Sequence, residues 1–264
     1  MNVELLKDLD RSGGWTLMAG GAEQSYVDID DPTHLEFEYM QHIALVVDAA
    51  YDEGAPLDVV HLGGGALTMP RWIAATRPGS EQVVFEASQQ ILDAVRPLGS
   101  VPDCEVRHSE AVDGIAGLAA ESVDLAIWDL YDGPRAVTAA LDLAALWLLR
   151  RVLRPHGVAV LNVSDVVPFA VVRPVLAGLR AVTDEVVLLA EPATLRGRRS
   201  GNCVLAGGPA SLPIERLLRA AAAAPARARV VAGPAMAEFI GTAVPATADA
   251  PLPHPDEASG RAFL

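Results

Sequence analysis

The chain has 264 residues, of which 51% are hydrophobic, so it is long enough and apolar enough for a large buried core and is not a disordered protein. Its 20 Lys and Arg residues against 34 Asp and Glu residues give a formal net charge of −14, which argues against nucleic-acid binding and favours a cationic ligand. The same acidity would also serve solubility alone.

Signals for export or membrane insertion are not found in the sequence. The first residues show no basic segment followed by an apolar one, so we expect a cytoplasmic protein. The longest apolar helical stretch, residues 136–149, contains Asp142 and is shorter than a membrane span. It predicts a core or subunit-interface helix, and we expect no membrane partner.

The N-terminal part predicts a small β appendage. Residues 1–13 are polar and indicate a frayed segment or a short helix. Residues 15–18 and 24–29 have the pattern of short strands, with Gly20 and Gly21 as the turn between them. A helix over 34–51 follows, because its apolar residues recur at helical spacing. We therefore expect residues 1–52 to form a β-hairpin appendage and a connecting helix.

The central part begins with a strand, a glycine turn, a helix and a second strand. Residues 57–62 are an apolar, β-branched run, and the triplet Gly63, Gly64 and Gly65 follows it. We call this triplet the glycine turn. Thr68 and Pro70 predict a helix start, with Thr68 as its cap, and residues 82–85 form the next strand, which ends at Glu86. This order is typical of a nucleoside site, in which the acid accepts hydrogen bonds from ribose hydroxyls.

Strands and helices alternate through the rest of the chain. Five further strands are predicted, at residues 104–108, 123–128, 157–162, 184–189 and 202–206. The pattern predicts an α/β fold with a doubly wound, mostly parallel, seven-stranded sheet over residues 53–242. Residues 243–264 contain four prolines and predict a surface or disordered tail.

Three acidic residues follow predicted strands and are candidates for the site. Glu86, Glu110 and Asp129 would converge, because ligands of such sheets lie at the carboxyl ends of the strands. Asp129 lies beside Trp128 and Tyr131, where partial burial favours a working base. The alternative for Asp129 is a turn cap, since Asp, Gly and Pro follow it. For Glu110 the alternative is plain exposure on a loop.

Histidine and cysteine patterns predict no metal site. Cys104 and Cys203 are far apart and have no metal-like spacing. His42 and His61 lie within an apolar helix face and a strand, which favours hydrogen-bonded core histidines over ligands. The loop with Arg196, Arg198 and Arg199 is either an anion contact or an exposed hairpin.

Taken together, these residues resemble the spermidine synthase family, the polyamine aminopropyltransferases, which have a class I S-adenosylmethionine-dependent methyltransferase-like Rossmann fold behind an N-terminal β appendage. The likeness covers most of the chain and is carried by Gln24, Ser25, Tyr39, the glycine turn, Glu86, Glu110, Ala111, Asp129 and Asp132.

The resemblance implies a role for each matching residue. The glycine turn would face the sulfonium end of the cofactor and Glu86 would hold its ribose. Glu110 and Ala111 would contact the adenine, with Gln24 also at the cofactor. Asp129 would deprotonate the attacking amine. The residues expected at the substrate are Tyr39, Tyr131 and Asp132, and Tyr26 is a further candidate for the acceptor pocket.

One departure from the family bears on the cofactor. The family's turn reads Gly-Gly-Gly-Asp-Gly-Gly, and its Asp binds the amine of the decarboxylated cofactor, whereas Ala66 stands at that position here. Met40 likewise replaces a family Gln. Without the Asp, the carboxylate of intact S-adenosylmethionine is no longer repelled, and the helix start at Thr68 would favour that anion.

The expected activity is therefore transfer of an alkyl group, aminopropyl by the resemblance, from decarboxylated S-adenosylmethionine to an amine. One alternative is methyl transfer from intact S-adenosylmethionine in the same pocket. Another is a non-catalytic nucleoside-binding or scaffold protein. A dinucleotide-dependent dehydrogenase is disfavoured, since the turn lacks the last glycine of that fingerprint. The resemblance also allows a homodimer.

Overall fold

The computed structural model describes the backbone of residues 2–132, 135–136 and 140–253, and the side chains of 2–131 and 140–253. The N-terminal appendage is an antiparallel sheet of three strands, β1 (Val3–Lys7), β2 (Gly14–Ala19) and β3 (Ala22–Asp28). The expectation of a frayed segment or helix before Gly14 is wrong, because β1 pairs along its whole length with β2. The segment has no clean alternation, because Leu6 is apolar at an exposed position and Lys7 is charged, so the sequence signal for a strand was weak.

A helix and the first strand–turn–helix unit follow the appendage. Helix α1 (Glu38–Ala50) begins four residues later than expected, at Phe37 as its N-cap. Strand β4 (Asp58–Leu62), helix α2 (Thr68–Thr76) and strand β5 (Glu81–Glu86) then form the predicted unit. Helix α3 (Gln89–Val95) is capped by Ser88, whose hydroxyl accepts from the N–H of Ile91.

The remaining elements complete the large sheet and its helices. They are β6 (Cys104–His108), α4 (Ala111–Ala116), β7 (Val123–Trp128), a short pair β8 (Tyr131–Asp132) and β9 (Arg135–Ala136), α5 (Leu143–Val152), β10 (Leu153–Asp165), α6 (Val172–Val182), β11 (Glu185–Ala190), α7 (Pro192–Leu195), β12 (Gly201–Gly208), α8 (Ile214–Ala223), β13 (Arg229–Val231) and α9 (Gly233–Ile240).

The large sheet confirms the expected class, an α/β fold with a mostly parallel sheet. Its order is β13-β11-β12-β10-β7-β4-β5-β6, and the five strands from β10 to β6 are parallel. Strands β12, β11 and β13 add an antiparallel edge. The sheet therefore has eight strands rather than seven, because the three-residue β13 is too short for a sequence pattern to mark.

The strand order fixes the position of a crevice. From β4 the chain proceeds outwards through β5 and β6, and it then returns to the other side of β4 through β7 and β10. Ligands of doubly wound sheets bind at the carboxyl edge where the order reverses, which here lies between β4 and β7. Leu62 and Trp128, at the ends of these two strands, are fully buried beneath that edge.

Helices cover both faces of the sheet and bury two large apolar clusters. One cluster contains α5 and α6, and the other contains α1 and α2. The helix expected over 136–149 begins only at Leu143 and is capped by Asp142; residues 137–139 of that prediction lie outside the described part. No helix in the described ranges is both long and apolar enough to cross a membrane.

The proline-rich C-terminal segment differs from the expected surface tail. Ala246 and Leu252 are buried in the same cluster as α5 and α6, and the carbonyl of Ala246 accepts from the N–H of Leu143. Proline density disfavours regular secondary structure but does not prevent packing, so the pattern concealed this contact. Residues 254–264 of the predicted tail lie outside the described part.

Candidate active site

The glycine turn lies where the ends of β4, β5 and β7 meet. The N–H of Gly63 donates to the carbonyl of Phe85, and the N–H of Asp129 donates to the carbonyl of Leu62. Gly63 has φ of +98°, and a Cβ there would overlap the carbonyl oxygen of Asp129. A glycine is therefore required for two reasons, the left-handed backbone and the close approach of Asp129.

Glu86 faces the crevice and is fixed by backbone donors. One carboxylate oxygen accepts from the N–H of Gly64 at 2.9 Å, and the other accepts from the N–H of Ser88 at 2.8 Å. Each oxygen keeps a further lone pair, so the carboxylate is held rigidly and remains able to accept from two hydroxyl groups.

A cavity of about 430 Å³ lies over this edge of the sheet. It is lined by most of the residues that the sequence singled out, namely Gln24, Gly63, Gly64, Gly65, Glu86, Glu110, Ala111, Asp129 and Tyr131. We call it the nucleoside cavity. Glu110 is exposed at the N-terminal end of α4, whereas Ala111 is buried behind it. The sequence therefore placed these side chains together correctly, although their roles stay predictions.

Asp129 is the centre of a hydrogen-bond network. It accepts from the hydroxyl of Tyr39 at 3.1 Å and from the amide of Asn162 at 2.9 Å. The Asn162 amide also lies 3.3 Å from the hydroxyl of Tyr131, which donates to Asn202 at 2.9 Å. Burial raises the pKa of Asp129, and the two donated hydrogen bonds oppose that shift. The net result is a raised pKa, which suits a carboxylate that takes up a proton.

The two tyrosines of the network remain protonated donors. Burial, together with the charge of Asp129, holds the pKa of Tyr39 and of Tyr131 well above the usual phenol range. Among the described side chains of this network, the carboxyl of Asp129 is therefore the group suited to exchange a proton. Its polar neighbours orient it without competing for the proton.

A second cavity of about 440 Å³ adjoins the first one. The two share Gln24 and Tyr131, and Tyr39 lines the second. We call it the acceptor cavity. Its lining, as far as the described side chains form it, carries four carboxylates, from Glu23, Glu36, Glu38 and Glu191, and the cationic side chain of Arg199.

The three arginines of the basic loop differ in their contacts, and Arg199 forms ion pairs at the acceptor cavity. Its guanidinium pairs with Glu191 and lies 3.8 Å from the carboxylate of Glu38, so it bridges two walls of the acceptor cavity. Arg196 and Arg198 are exposed, as an ordinary loop predicts.

Two expectations around the turn are wrong. Thr68 does not cap α2, since Leu67 in a left-handed conformation occupies the cap position. The hydroxyl of Thr68 donates instead to the carbonyl of Tyr26 at 2.7 Å and so joins the appendage to the turn. Tyr26 itself lines neither cavity; its hydroxyl donates to Asp8.

The packing of Ala66 accounts for a small side chain at this position. Its side chain is fully buried in a cluster with Leu17 and Val27 of the appendage, and it does not line the nucleoside cavity. Met40, the other departure, does line this cavity. The side chain of Asp132 lies outside the described part, so its expected contact with the substrate stays a prediction.

The structure adds residues that the sequence did not indicate. Asn162 ends an otherwise apolar run at the carboxyl side of β10, and Asn202 lies on the antiparallel strand beside it. A polar residue at the end of a buried strand was the available signal for Asn162, and it is the same signal that identified Asp129.

The histidine expectation is half right. The ring of His61 is hydrogen-bonded to Gln82 at 2.8 Å, as expected of a core histidine. Neither ring nitrogen of His42 has a hydrogen bond of good geometry within the described residues, and burial lowers the pKa of its imidazole. The two cysteines are free thiols. Among the described side chains, no group of three or more His, Cys, Asp or Glu is placed to hold a metal ion.

Comparison with solved structures decides the fold family. A probable spermidine synthase from Corynebacterium glutamicum is 27% identical and superposes over 92% of this chain and 91% of that chain, with a TM-score of 0.83. This chain has the class I methyltransferase fold and is similar in structure to spermidine synthases. The expected resemblance and the expected enzyme class, a transferase, are thereby confirmed.

More distant structures agree on the fold. A spermidine synthase in complex with the transition-state analogue AdoDATO is 16% identical, with a TM-score of 0.59 over 81% of this chain and 71% of that chain. Human methyltransferase-like protein 13 in complex with SAH is 20% identical, with a TM-score of 0.54 over 76% of this chain and 89% of that chain. No family model matches the sequence, and no curated protein matches it at a significant level.

Proposed function

We propose that this protein is a spermidine synthase-like transferase that moves an aminopropyl group from decarboxylated S-adenosylmethionine to an amine. The observation that carries the proposal is the position of Asp129. This carboxylate lines the nucleoside cavity and is bonded to Tyr39, which lines the acceptor cavity. When a group bound in one cavity reacts with a group bound in the other, a proton is released at the junction of the two cavities. A base at this junction can accept that proton.

The nucleoside cavity fits an adenosyl ligand. Glu86 offers two oriented lone pairs to the ribose hydroxyls, and the glycine turn allows close approach of the ligand to the backbone. Glu110 and Ala111 line the part assigned to the adenine. The neighbours with bound AdoDATO and SAH support an S-adenosylmethionine-related ligand.

The charge of the nucleoside cavity supports the decarboxylated cofactor. Three carboxylates line it, those of Glu86, Glu110 and Asp129, and its described lining includes no Lys or Arg. A sulfonium ligand with an ammonium chain is attracted by this field, whereas a carboxylate on the same chain finds no cationic side chain. The acidic wall of the acceptor cavity likewise favours a cationic amine.

The proposed step is an in-line displacement. The amine nitrogen attacks the aminopropyl carbon bound to the sulfonium sulfur, a C–N bond forms, and the C–S bond breaks. The bonding pair stays on sulfur, which leaves as the neutral thioether methylthioadenosine. Asp129 takes up the proton that the nitrogen loses. Tyr39 and Asn162 hold the carboxylate in place, and the two cavities align the reactants.

Methyl transfer from intact S-adenosylmethionine is the second candidate. It is favoured by Ala66, because no carboxylate at this position repels the ligand's own carboxylate. The first-turn N–H groups of α2 would be the donors available to that anion, since the Thr68 hydroxyl is bonded to Tyr26.

Product analysis separates the candidates. The full chain is incubated with putrescine and with either decarboxylated or intact S-adenosylmethionine, and the nucleoside products are separated by chromatography. Methylthioadenosine with the decarboxylated cofactor supports the proposal, and S-adenosylhomocysteine with the intact one supports methyl transfer. Neither product, together with retained nucleoside binding, supports a non-catalytic binding protein. The Asp129→Asn variant is the control for enzymatic turnover.

We also propose a homodimer, on the resemblance alone. The apolar residues of α5 that were candidates for an interface, Ala145, Leu146 and Leu149, are buried within their own chain. Trp147 on the same helix has 54% of its surface exposed and is the remaining candidate. Light scattering of the wild type and of Trp147→Gln tests this state; an unchanged mass in the variant excludes the α5 surface as the interface.

A further inference from the structure

His61 lies in the floor of the nucleoside cavity. Side chains alternate along β4, so Val60 and Leu62 face the α5 side of the sheet and His61 faces the side covered by α1 and α2. The residue is 1% exposed, and yet it lines the cavity together with Met40, Met69 and its cross-strand neighbour Ile127. It is therefore a polar group at an otherwise apolar end of the cavity.

A chain of hydrogen bonds fixes which ring nitrogen carries the proton. The amide nitrogen of Gln82 donates to the carbonyl of Pro70 at 3.0 Å, and a carbonyl oxygen only accepts. The amide oxygen of Gln82 must then face His61, at 2.8 Å from Nε2. Nε2 is consequently the protonated nitrogen, and Nδ1 carries a lone pair.

Among the described residues the hydrogen bond given for His61 is the one at Nε2, which leaves the lone pair of Nδ1 available on a ring that lines the cavity. Burial lowers the pKa of His61 to about 4, so the ring is neutral at physiological pH. The three carboxylates of the cavity already have partners or other proposed roles: Glu86 is hydrogen-bonded to the turn, Glu110 lies at the start of α4, and Asp129 is hydrogen-bonded to Tyr39 and Asn162.

We propose that Nδ1 of His61 accepts a hydrogen bond from the ammonium group on the ligand's sulfonium-linked chain, and that His61 is thereby a cofactor-binding residue that selects for this chain. The inference rests on the proposed function, because it takes the nucleoside to be a sulfonium with an amino group. It assigns an acceptor to the cationic chain although Ala66 provides none. An ammonium needs such acceptors once it leaves water.

Binding of two matched ligands tests the proposal. Calorimetry of the full chain measures decarboxylated S-adenosylmethionine and 5′-dimethylthioadenosine, which has the same sulfonium nucleoside and no amino group. For His61→Phe we expect about 10- to 100-fold weaker binding of the first ligand, the loss typical of a hydrogen bond to a charged group. Binding of the second ligand should change less than about threefold.

Equal losses for both ligands would show that His61 only supports the fold, and no loss for either would show that it makes no contact; both results overturn the inference. If the wild type binds neither ligand, the proposed function itself fails. Gln82→Met is the second variant, because it keeps the imidazole of His61 but removes the hydrogen bond that fixes the proton on Nε2. We expect it to weaken binding of the amino ligand alone, by less than His61→Phe does.

Nitrogen NMR of ¹⁵N-histidine-labelled wild type provides a readout that does not depend on folding of a variant. The free protein should show His61 protonated on Nε2 only, and addition of the amino ligand should shift the Nδ1 resonance. A Nδ1 resonance that the amino ligand leaves unchanged at saturation contradicts the contact.

Discussion

Substitution of Gly63 by Ala tests the link between the glycine turn and the proposed base. The left-handed backbone at φ +98° costs an alanine about 1–2 kcal/mol. The new methyl group would also overlap the carbonyl oxygen of Asp129, and such overpacking costs about 1–3 kcal/mol more. We therefore expect Gly63→Ala to lower the free energy of unfolding by about 2–5 kcal/mol.

Gly54→Ala is the matched control, because Gly54 has φ of +72° and nothing within 4 Å of an added Cβ. It should show the backbone cost alone, about 1–2 kcal/mol. Thermal unfolding measures both variants, with about 2–4 °C per kcal/mol for a chain of this size. The rate of product formation should fall about 100-fold in Gly63→Ala, since Asp129 is displaced, and stay unchanged in Gly54→Ala.

The reasoning is refuted if the two variants are equally stable. It is also refuted if Gly63→Ala keeps the wild-type rate, since the end of β7 would then move without consequence for Asp129. A loss of rate with intact stability would indicate a ligand contact of the turn in place of the contact with Asp129.

Three further predictions concern the carboxylates. Asp129→Asn should abolish turnover and raise the free energy of unfolding at pH 7 by about 1 kcal/mol. The reason is that the pKa of Asp129 is raised in the folded protein, so the protein loses stability as the pH rises through that pKa. A variant that is less stable in thermal unfolding and still active in the product assay contradicts this prediction. Tyr39→Phe removes a hydrogen bond that lowers the pKa of Asp129, so the acidic limb of the profile of kcat against pH should shift to higher pH. The hydroxyl of Tyr51 donates to a backbone carbonyl elsewhere, so the control Tyr51→Phe should leave this limb at its wild-type pH. Glu86→Gln should weaken binding of the nucleoside about 10- to 100-fold in calorimetry, while Glu81→Gln, exposed at the other end of β5, should not; equal affinities of these two variants would remove Glu86 from the ribose site.

Much of the fold could be predicted from the sequence, and so could the part of the site that β4, the glycine turn and β5 form. Strand β4, the glycine turn, α2 and β5 are contiguous, and local sequence marks three of them: an apolar, β-branched run for β4, glycines for the turn and a terminal acid for β5. Because parallel strands end at one edge, the meeting of Glu86 and Asp129 at one cavity also followed from the pattern.

Only the tertiary structure decided the partners of those residues. Asn162 and Asn202 come from β10 and β12, far from Asp129 in sequence, and strand pairing alone brings them within hydrogen-bond distance of its network. Ala66 packs in one cluster with Leu17 of the appendage, a contact between the segment after the glycine turn and a separate sheet. Periodicity determines which face of an element is buried, but what it is buried against depends on long-range contacts that no local pattern encodes.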